Sequence, residues 1–275
     1  MTLVATKLTK TFISGRGADR VVKHAVNGVS IRVDAGDFVA VVGESGSGKS
    51  TTARMMLDLA RPDTGNVTWN GADVAALDAT GRKNFRAGVQ AIFQDPSGSL
   101  NPRKRIRKML GEVIEFYGLG RSKADVEAYA IRMLRLVGLV PAETFLDRFP
   151  HELSGGQRQR VLIARAMIPN PKIIIADEAV SALDVSIKAG VLRLMEDLRA
   201  ENGVGYLLIS HDLPVVRKVA RYVYVMRNGE VVEEGPTEQI FTAPQAEYTR
   251  TLIGATLDLD AVLDAQAARA ASQPA

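Results

Sequence analysis

Cysteine is absent from this chain of 275 residues. Its absence excludes disulfides, thiol nucleophiles and iron–sulphur ligation through Cys, and it fits a reducing compartment. Long apolar runs are missing too: none approaches the roughly 20 residues that span a bilayer. Met1 to Lys10 lacks the apolar core of a signal segment. Work at a membrane is therefore expected to go through partners. Neither sign of charge dominates, with 35 Lys and Arg against 31 Asp and Glu and a net charge of +4. DNA binding usually leaves a clustered basic face, so no nucleic-acid partner is expected. The one basic cluster, Arg103, Lys104, Arg105, Arg107 and Lys108, reads as a solvated helix start; a surface for headgroups or an acidic partner is the competing reading. Internal repeats are absent as well. What remains is the composition of an ordinary globular protein, long enough to bury a sizeable core.

Residues 3–8 and 26–33 alternate apolar and polar positions and read as short strands joined by a Gly-rich basic loop at 14–20. Phe38 to Val42 is apolar throughout, which suits a strand buried on both faces. A helix is expected from Gly48 to Leu59, ended by Arg61-Pro62. A small edge hairpin is expected around Asn70-Gly71, and another strand ends at Ile92-Phe93. Residues 104–139 carry helical spacing, and 96–153 reads as an inserted helical subdomain. Gly155 to Ala166 reads as a helix, 172–176 and 206–210 as buried strands, and 223–233 as a hairpin around Asn228-Gly229. Beyond Gly235 the chain reads as a helical tail, frayed over its Ala-rich end. Strands alternating with helices predict a doubly wound α/β core.

Three segments carry chemistry. Gly43-Glu44-Ser45-Gly46-Ser47-Gly48-Lys49-Ser50-Thr51 follows a strand, opens a helix, and has the spacing of a phosphate-binding loop. Glycines let backbone N–H groups approach phosphate oxygens, and the helix N-terminus adds partial positive charge. Lys49 is expected on the β- and γ-phosphates and the Ser50 hydroxyl on Mg²⁺. Asp177 and Glu178 stand at the carboxyl end of a buried strand, where open α/β sheets bind ligands. Asp177 suits a Mg²⁺-holding acid, and Glu178 a general base that polarises the attacking water. Leu153-Ser154-Gly155-Gly156-Gln157 offers an N-cap serine and two glycines at a helix start, a second anion cradle. One nucleotide does not need two cradles on one face of one subunit, so the second is expected to serve a nucleotide held by another chain. A plain capped helix is the competing reading.

Taken together, these residues resemble the ATP-binding cassette family, and within it the ATPase subunits of oligopeptide, dipeptide and nickel importers. The resemblance runs from about Leu3 to about Ile253. It includes 94–103, Arg148-Phe149-Pro150-His151-Glu152-Leu153, Asp177 to Ser186 and Ile209-Ser210-His211-Asp212-Leu213. It implies a RecA-like P-loop ATPase core with an antiparallel β subdomain, an inserted helical subdomain and a short helical C-terminal tail. The nucleotide-binding domain would cover 1–253, with a partly disordered tail at 254–275. It further implies ATP and Mg²⁺ as ligands, Gln94 as a sensor of Mg²⁺ and water, and His211 on the γ-phosphate. Phe12 would stack on adenine, with Val21 and Val22 near the same face. Asp184 would cross a dimer interface, and Ser154, Gly155, Gly156 and Gln157 would bind the opposing subunit's ATP. The implied partners are a second ATPase subunit (the same chain or a paralogue), integral membrane permease subunits and, indirectly, an extracellular solute-binding protein. The implied location is the cytoplasmic face of the inner membrane, as a peripheral subunit.

Three departures stand out. Ala179 replaces the usual Pro after the glutamate. Pro244 to Arg250 lacks the usual His-Pro before its tyrosine, and no tail iron–sulphur cluster can form without Cys. A soluble non-transport ATPase of the same family, acting on DNA or ribosomes, is the alternative. Against it, 96–153 is too short for a long coiled-coil arm, and the chain holds one cassette rather than two. An inactive scaffold is a third reading, opposed by the presence of Lys49, Gln94, Asp177, Glu178 and His211.

Overall fold

Two sheets stacked on one another set the architecture. The structure is a computed structural model that describes residues 1–14, 21–93, 99–181 and 183–255. The first sheet is antiparallel and is built from β1 (Thr2–Ser14), β2 (Val21–Asp34), β4 (Thr64–Trp69) and β5 (Ala72–Asp73), in the order β2-β1-β4-β5. The second comprises β3 (Phe38–Val42), β6 (Val89–Phe93), β7 (Ile173–Asp177), β8 (Gly205–Ile209), β9 (Tyr222–Arg227) and β10 (Glu230–Pro236). Its order is β10-β9-β3-β8-β7-β6, parallel except where β9 meets β10.

Strands β3, β7 and β8 of the second sheet are buried on both faces, and the sheet's side chains divide by parity, as a pleat requires. Phe38, Ala40 and Val42 of β3 join Ile174, Ala176, Tyr206, Leu208, Val223 and Val225 in a core shared with helices. Val39, Val41, Ile173, Ile175, Leu207, Ile209, Tyr224 and Met226 point the other way, into a core shared with β1, β2 and β4. Rings mark each core: Phe38 stacks on Tyr206 at 5.1 Å, and Trp69 meets Phe85 edge-on at 6.2 Å. This is the RecA-like α/β core with its antiparallel β subdomain.

Contact between the two layers is close. A Cβ on Gly205 would lie 2.2 Å from the Asp34 carbonyl oxygen and 3.2 Å from Ala35 Cα, both backbone atoms that cannot swing away. Gly205→Ala is expected to destabilise the protein by about 2–3 kcal/mol. A thermal unfolding curve matching that of the wild type would refute this.

The helices are α1 (Lys49–Met56), α2 (Ala79–Gly88), α3 (Ile106–Phe116), α4 (Lys123–Leu136), α5 (Glu143–Leu146), α6 (Gly155–Met167), α7 (Val185–Asn202), α8 (Leu213–Val219) and α9 (Thr237–Thr242). A last helical segment covers 247–255. In chain order α3, α4, α5 and α6 lie between β6 and β7, so the helices are inserted into the run of parallel strands. Both expected Asn-Gly hairpins form. Asn70 and Gly71 have φ of 52° and 84°, and Asn228 and Gly229 have 49° and 85°. Positive φ at both central residues is what two-residue hairpins need.

Several boundaries differ from the sequence reading. β1 and β2 each run well beyond 3–8 and 26–33, because they pair with one another up to Ser14 and Val21. The connection expected at 14–20 lies, from 15 onward, outside the described residues. The helix expected over 48–59 ends at Met56, after which Asp58 turns with φ of 57°. The helical stretch 104–139 is two helices: Gly118 turns at φ 70°, and Ser122 then caps a new start by accepting from the Asp125 N–H at 3.1 Å. Of the tail, 256–275 lies outside the described residues.

Candidate functional site

Most side chains of the central site leave the carboxyl edge of the second sheet; Phe12 and Lys23 reach it from β1 and β2 of the first. The loop 43–48 rises from β3 and is wedged between β9 and β2. A Cβ on Gly43 would sit 2.1 Å from the Met226 carbonyl oxygen, and one on Gly48 2.3 Å from that of Ala25. Gly43 also holds φ of 147° and Gly48 of 104°, so sterics and dihedrals both demand glycine at these two positions. Ser47 N–H bonds to the Glu44 carbonyl, and Gly229 N–H to that of Ser47, which ties the loop to the β9–β10 turn. α1 starts at Lys49 with no side-chain cap, so its first N–H groups are open to a ligand.

Lys49 lies inside the loop it follows. Its Nζ donates to the carbonyls of Gly43 (2.8 Å) and Glu44 (2.7 Å) and to Ser47 Oγ (3.3 Å). Burial pulls its pKa down, while Glu178, Asp177 and Glu44 oppose that shift. Across the site Ser50 Oγ donates to Asp177 Oδ1 at 3.0 Å. Burial pushes the Asp177 carboxyl up, against the Ser50 hydrogen bond. A hydroxyl and a carboxylate converging at a helix start are hard oxygen donors, which suit Mg²⁺ more than softer metals. Among the described residues no cluster of three or more His, Cys, Asp or Glu could hold a metal. A cation here would thus take few protein ligands and complete its shell from phosphate and water, as Mg²⁺ does.

Glu178 turns sharply off β7 with φ of 50°. Its N–H still bonds to the Ile209 carbonyl at 2.9 Å, so the strained residue remains tied to β8. Its Oε1 is 3.4 Å from His211 Nδ1, with the histidine side chain 59% exposed and the glutamate 21%. Asp212 braces this corner. It caps α8 by accepting from the Val215 N–H at 3.1 Å and pairs with Lys188 Nζ of α7 at 2.5 Å. Phe12 stands half-exposed near the mouth and is not packed at a strand end, with Lys10 Nζ 6.0 Å from its ring. A cavity of about 190 Å³ is lined by Phe12, Lys23, Ser45, Lys49, Thr51 and Glu178 among others.

The structure thus gathers Phe12, the loop from Gly43 to Thr51, Asp177, Glu178 and His211 around one edge. Gln94 lies outside the described residues; Phe93 before it pairs with Asp177. Val22 does not line the cavity, and the Val21 side chain lies outside the described part. Ser154, Gly155, Gly156 and Gln157 do not line the cavity around Lys49. They form the start of α6, where Ser154 Oγ accepts from the Gln157 N–H at 3.3 Å and Gln157 Oε1 accepts from the Ser154 N–H at 3.0 Å. The two glycines have different reasons. A Cβ on Gly156 would lie 2.4 Å from Ile187 Cγ2, so packing on α7 accounts for it; Gly155 faces only Leu183, at 3.5 Å. Asp184 stands exposed at the start of α7, beside this segment.

Besides Ala25, Lys23 is the cavity residue the sequence reading missed. Its signal is the cross-strand register, which pairs Phe12 with Lys23 and needs the β1–β2 alignment to be seen.

Residues 26–181 match the protein family described as ABC transporter. The oligopeptide transport ATP-binding protein OppD of Mycobacterium bovis is 43% identical over 249 residues, 90% of this chain and 40% of that protein. The glutathione import ATP-binding protein GsiA of Escherichia coli is 46% identical over 232 residues, 84% of this chain and 37% of that one. The chain therefore spans about two fifths of the length of these curated relatives. Among solved structures, a dimeric ATP-binding cassette in a post-hydrolysis state, bound to ADP and Pi, aligns with a TM-score of 0.74 at 30% identity. That alignment covers 86% of this chain and 98% of that one.

Proposed function

The chain belongs to the ABC transporter family, and on that premise we propose that it is the ATP-hydrolysing subunit of an importer. It powers uptake of a small solute, a peptide or a similar molecule, through separate membrane subunits. The observation that carries the reading is the convergence of Lys49, Ser50, Asp177 and Glu178 at one sheet edge, with Ser50 Oγ on Asp177 and His211 on Glu178.

In this reading the open N–H groups of the loop and α1 and the Lys49 ammonium hold the phosphates. Phe12 stacks on adenine, a contact worth about 1–3 kcal/mol. Ser50, Asp177 and Gln94 hold Mg²⁺, which when bound offsets charge on the phosphate oxygens. Glu178 takes the proton of the attacking water, and its fixed turn off β7 holds the carboxylate towards the cavity. His211, beside Glu178 at 3.4 Å, contacts the γ-phosphate. Ser154, Gly155, Gly156 and Gln157 bind the nucleotide of a second ATPase subunit, and Asp184 crosses the same interface. The family member solved as a dimer supports that arrangement.

The domain division follows: 1–253 is one nucleotide-binding domain with 96–153 as its helical insert, and 254–275 is a tail. Among the described residues no helix is long and apolar enough to cross a membrane. In this reading the subunit acts from the cytoplasmic face, bound to permease subunits and served indirectly by a solute-binding protein outside. Purified chain carrying Glu178→Gln, loaded with Mg-ATP, is expected to retain polytopic membrane proteins from detergent-solubilised membranes of its own cell. Recovery of ribosomal or DNA-bound proteins alone would replace the importer with a soluble ATPase of the same family.

A further inference from the structure

The C-terminal segment 247–255 reaches the phosphate loop, and it does so through one hydroxyl. Tyr248 is buried, and its phenol oxygen accepts from the Glu44 N–H at 3.1 Å. The Arg227 guanidinium stacks over the same ring, 4.8 Å from its centre. Arg227 ends β9, the strand against which Gly43 is wedged. Tyr248 is therefore fixed between the base of the loop and the strand beneath it. Burial raises its pKa, so the phenol stays protonated at neutral pH.

The segment carrying Tyr248 is itself anchored. Glu233 of β10 accepts from the N–H groups of Gln245 at 2.7 Å and Ala246 at 3.0 Å, a cap supplied by another element. Ile253, one turn further on, is buried in the helical core. The segment is thus held at both ends, with the hydroxyl between them on the loop.

Residue 44 is where the loop needs support. Its carbonyl accepts from Lys49 Nζ at 2.7 Å. A lysine drawn towards phosphate oxygens gives up the Gly43 and Glu44 carbonyls; the Glu44 carbonyl keeps the Ser47 N–H, and the Tyr248 hydroxyl keeps hold of the 43–44 peptide through the Glu44 N–H. Holding a loop in its binding conformation raises affinity by lowering the ordering cost on binding.

We propose that Tyr248 is a positioning residue for the phosphate loop, so that the docked segment 247–255 sets how tightly this chain holds nucleotide phosphates. The proposal rests on the nucleotide-binding reading above. Its test is Tyr248→Phe, which keeps the ring, its burial and the Arg227 stack and removes only the hydroxyl. ADP affinity is measured by calorimetry without metal, alongside ATP turnover and thermal unfolding.

A net hydrogen bond of ordinary strength corresponds to about a fivefold change in affinity. Kd for ADP and KM for ATP are expected to rise by about that factor, with kcat unchanged and the unfolding temperature lowered by no more than about 2–4 °C. Tyr248→Ala, which frees the segment as well, is expected to raise Kd further. Wild-type Kd in Tyr248→Phe would overturn the proposal. So would a fall in kcat and in unfolding temperature at unchanged Kd, the mark of a residue that only packs. A wild-type chain that binds no ADP would overturn the nucleotide reading itself, and the proposal with it.

Discussion

Glu178→Gln is expected to bind ATP as the wild type does and to hydrolyse it about 100- to 10,000-fold more slowly, the range for loss of a general base. The amide has the shape of the carboxylate and keeps an oxygen for the His211 contact, seen at 3.4 Å. It cannot take a proton from water. The sharp φ of 50° at residue 178 is a backbone property and survives the change. Binding and chemistry therefore separate, and subunits loaded with ATP stay closed on one another. Size-exclusion chromatography with Mg-ATP should show a stable dimer in the variant, and phosphate release should report the slowed turnover. A variant that turns over at the wild-type rate removes Glu178 from the role of base.

Lys49→Ala should have the second largest effect, on binding itself. A charged hydrogen bond contributes about 1.5–3 kcal/mol, and Lys49 is the cation seated within the loop. A loss of about 100-fold in ATP affinity follows from the upper end of that range. The change also removes the Lys49 donor from the Gly43 and Glu44 carbonyls, so circular dichroism must accompany the titration to show that the fold persists. Tight ATP binding by a folded Lys49→Ala chain would overturn the assignment of the loop.

The parts of the site that were legible from sequence are those whose constraint is local. Gly43 and Gly48 are required by dihedrals and close backbone approach within one loop, and the spacing to Lys49 records it. Asp177 and Glu178 announce themselves by ending an apolar strand, and Ser154 by preceding a helix. Contacts between distant segments leave no such record. Tyr248 meets Glu44 across 204 positions, and Lys188 meets Asp212 across 24; neither pair has a periodicity to betray it.

Helices were legible only where an apolar stripe existed. α2 buries just Phe85, so no stripe marks it, and its one signal is Asp78 accepting from the Gly81 N–H at 2.6 Å. α7 buries Val191, Leu192, Leu194, Met195 and Leu198 in its later half, while Val185 at its start is 84% exposed. The resemblance to a known family supplied expectations that spacing could not, among them His211 on the γ-phosphate and Phe12 on adenine. Gly156 shows the reverse case: a residue read as part of an anion cradle also has a packing reason, in Ile187.

The double burial of β3, β7 and β8 has a consequence for how the reactive groups are spaced. Val42, Ile209 and Asp177 close the neighbouring strands β3, β8 and β7, every residue of which is buried. Adjacent strands lie about 4.8 Å apart, and a sheet clamped on both faces has no slack with which to change that interval. The edge therefore works as a ruler whose graduations are strand ends. Loops hung from it start at fixed intervals, so phosphate loop, acid and histidine are spaced by the sheet rather than by the loops that carry them.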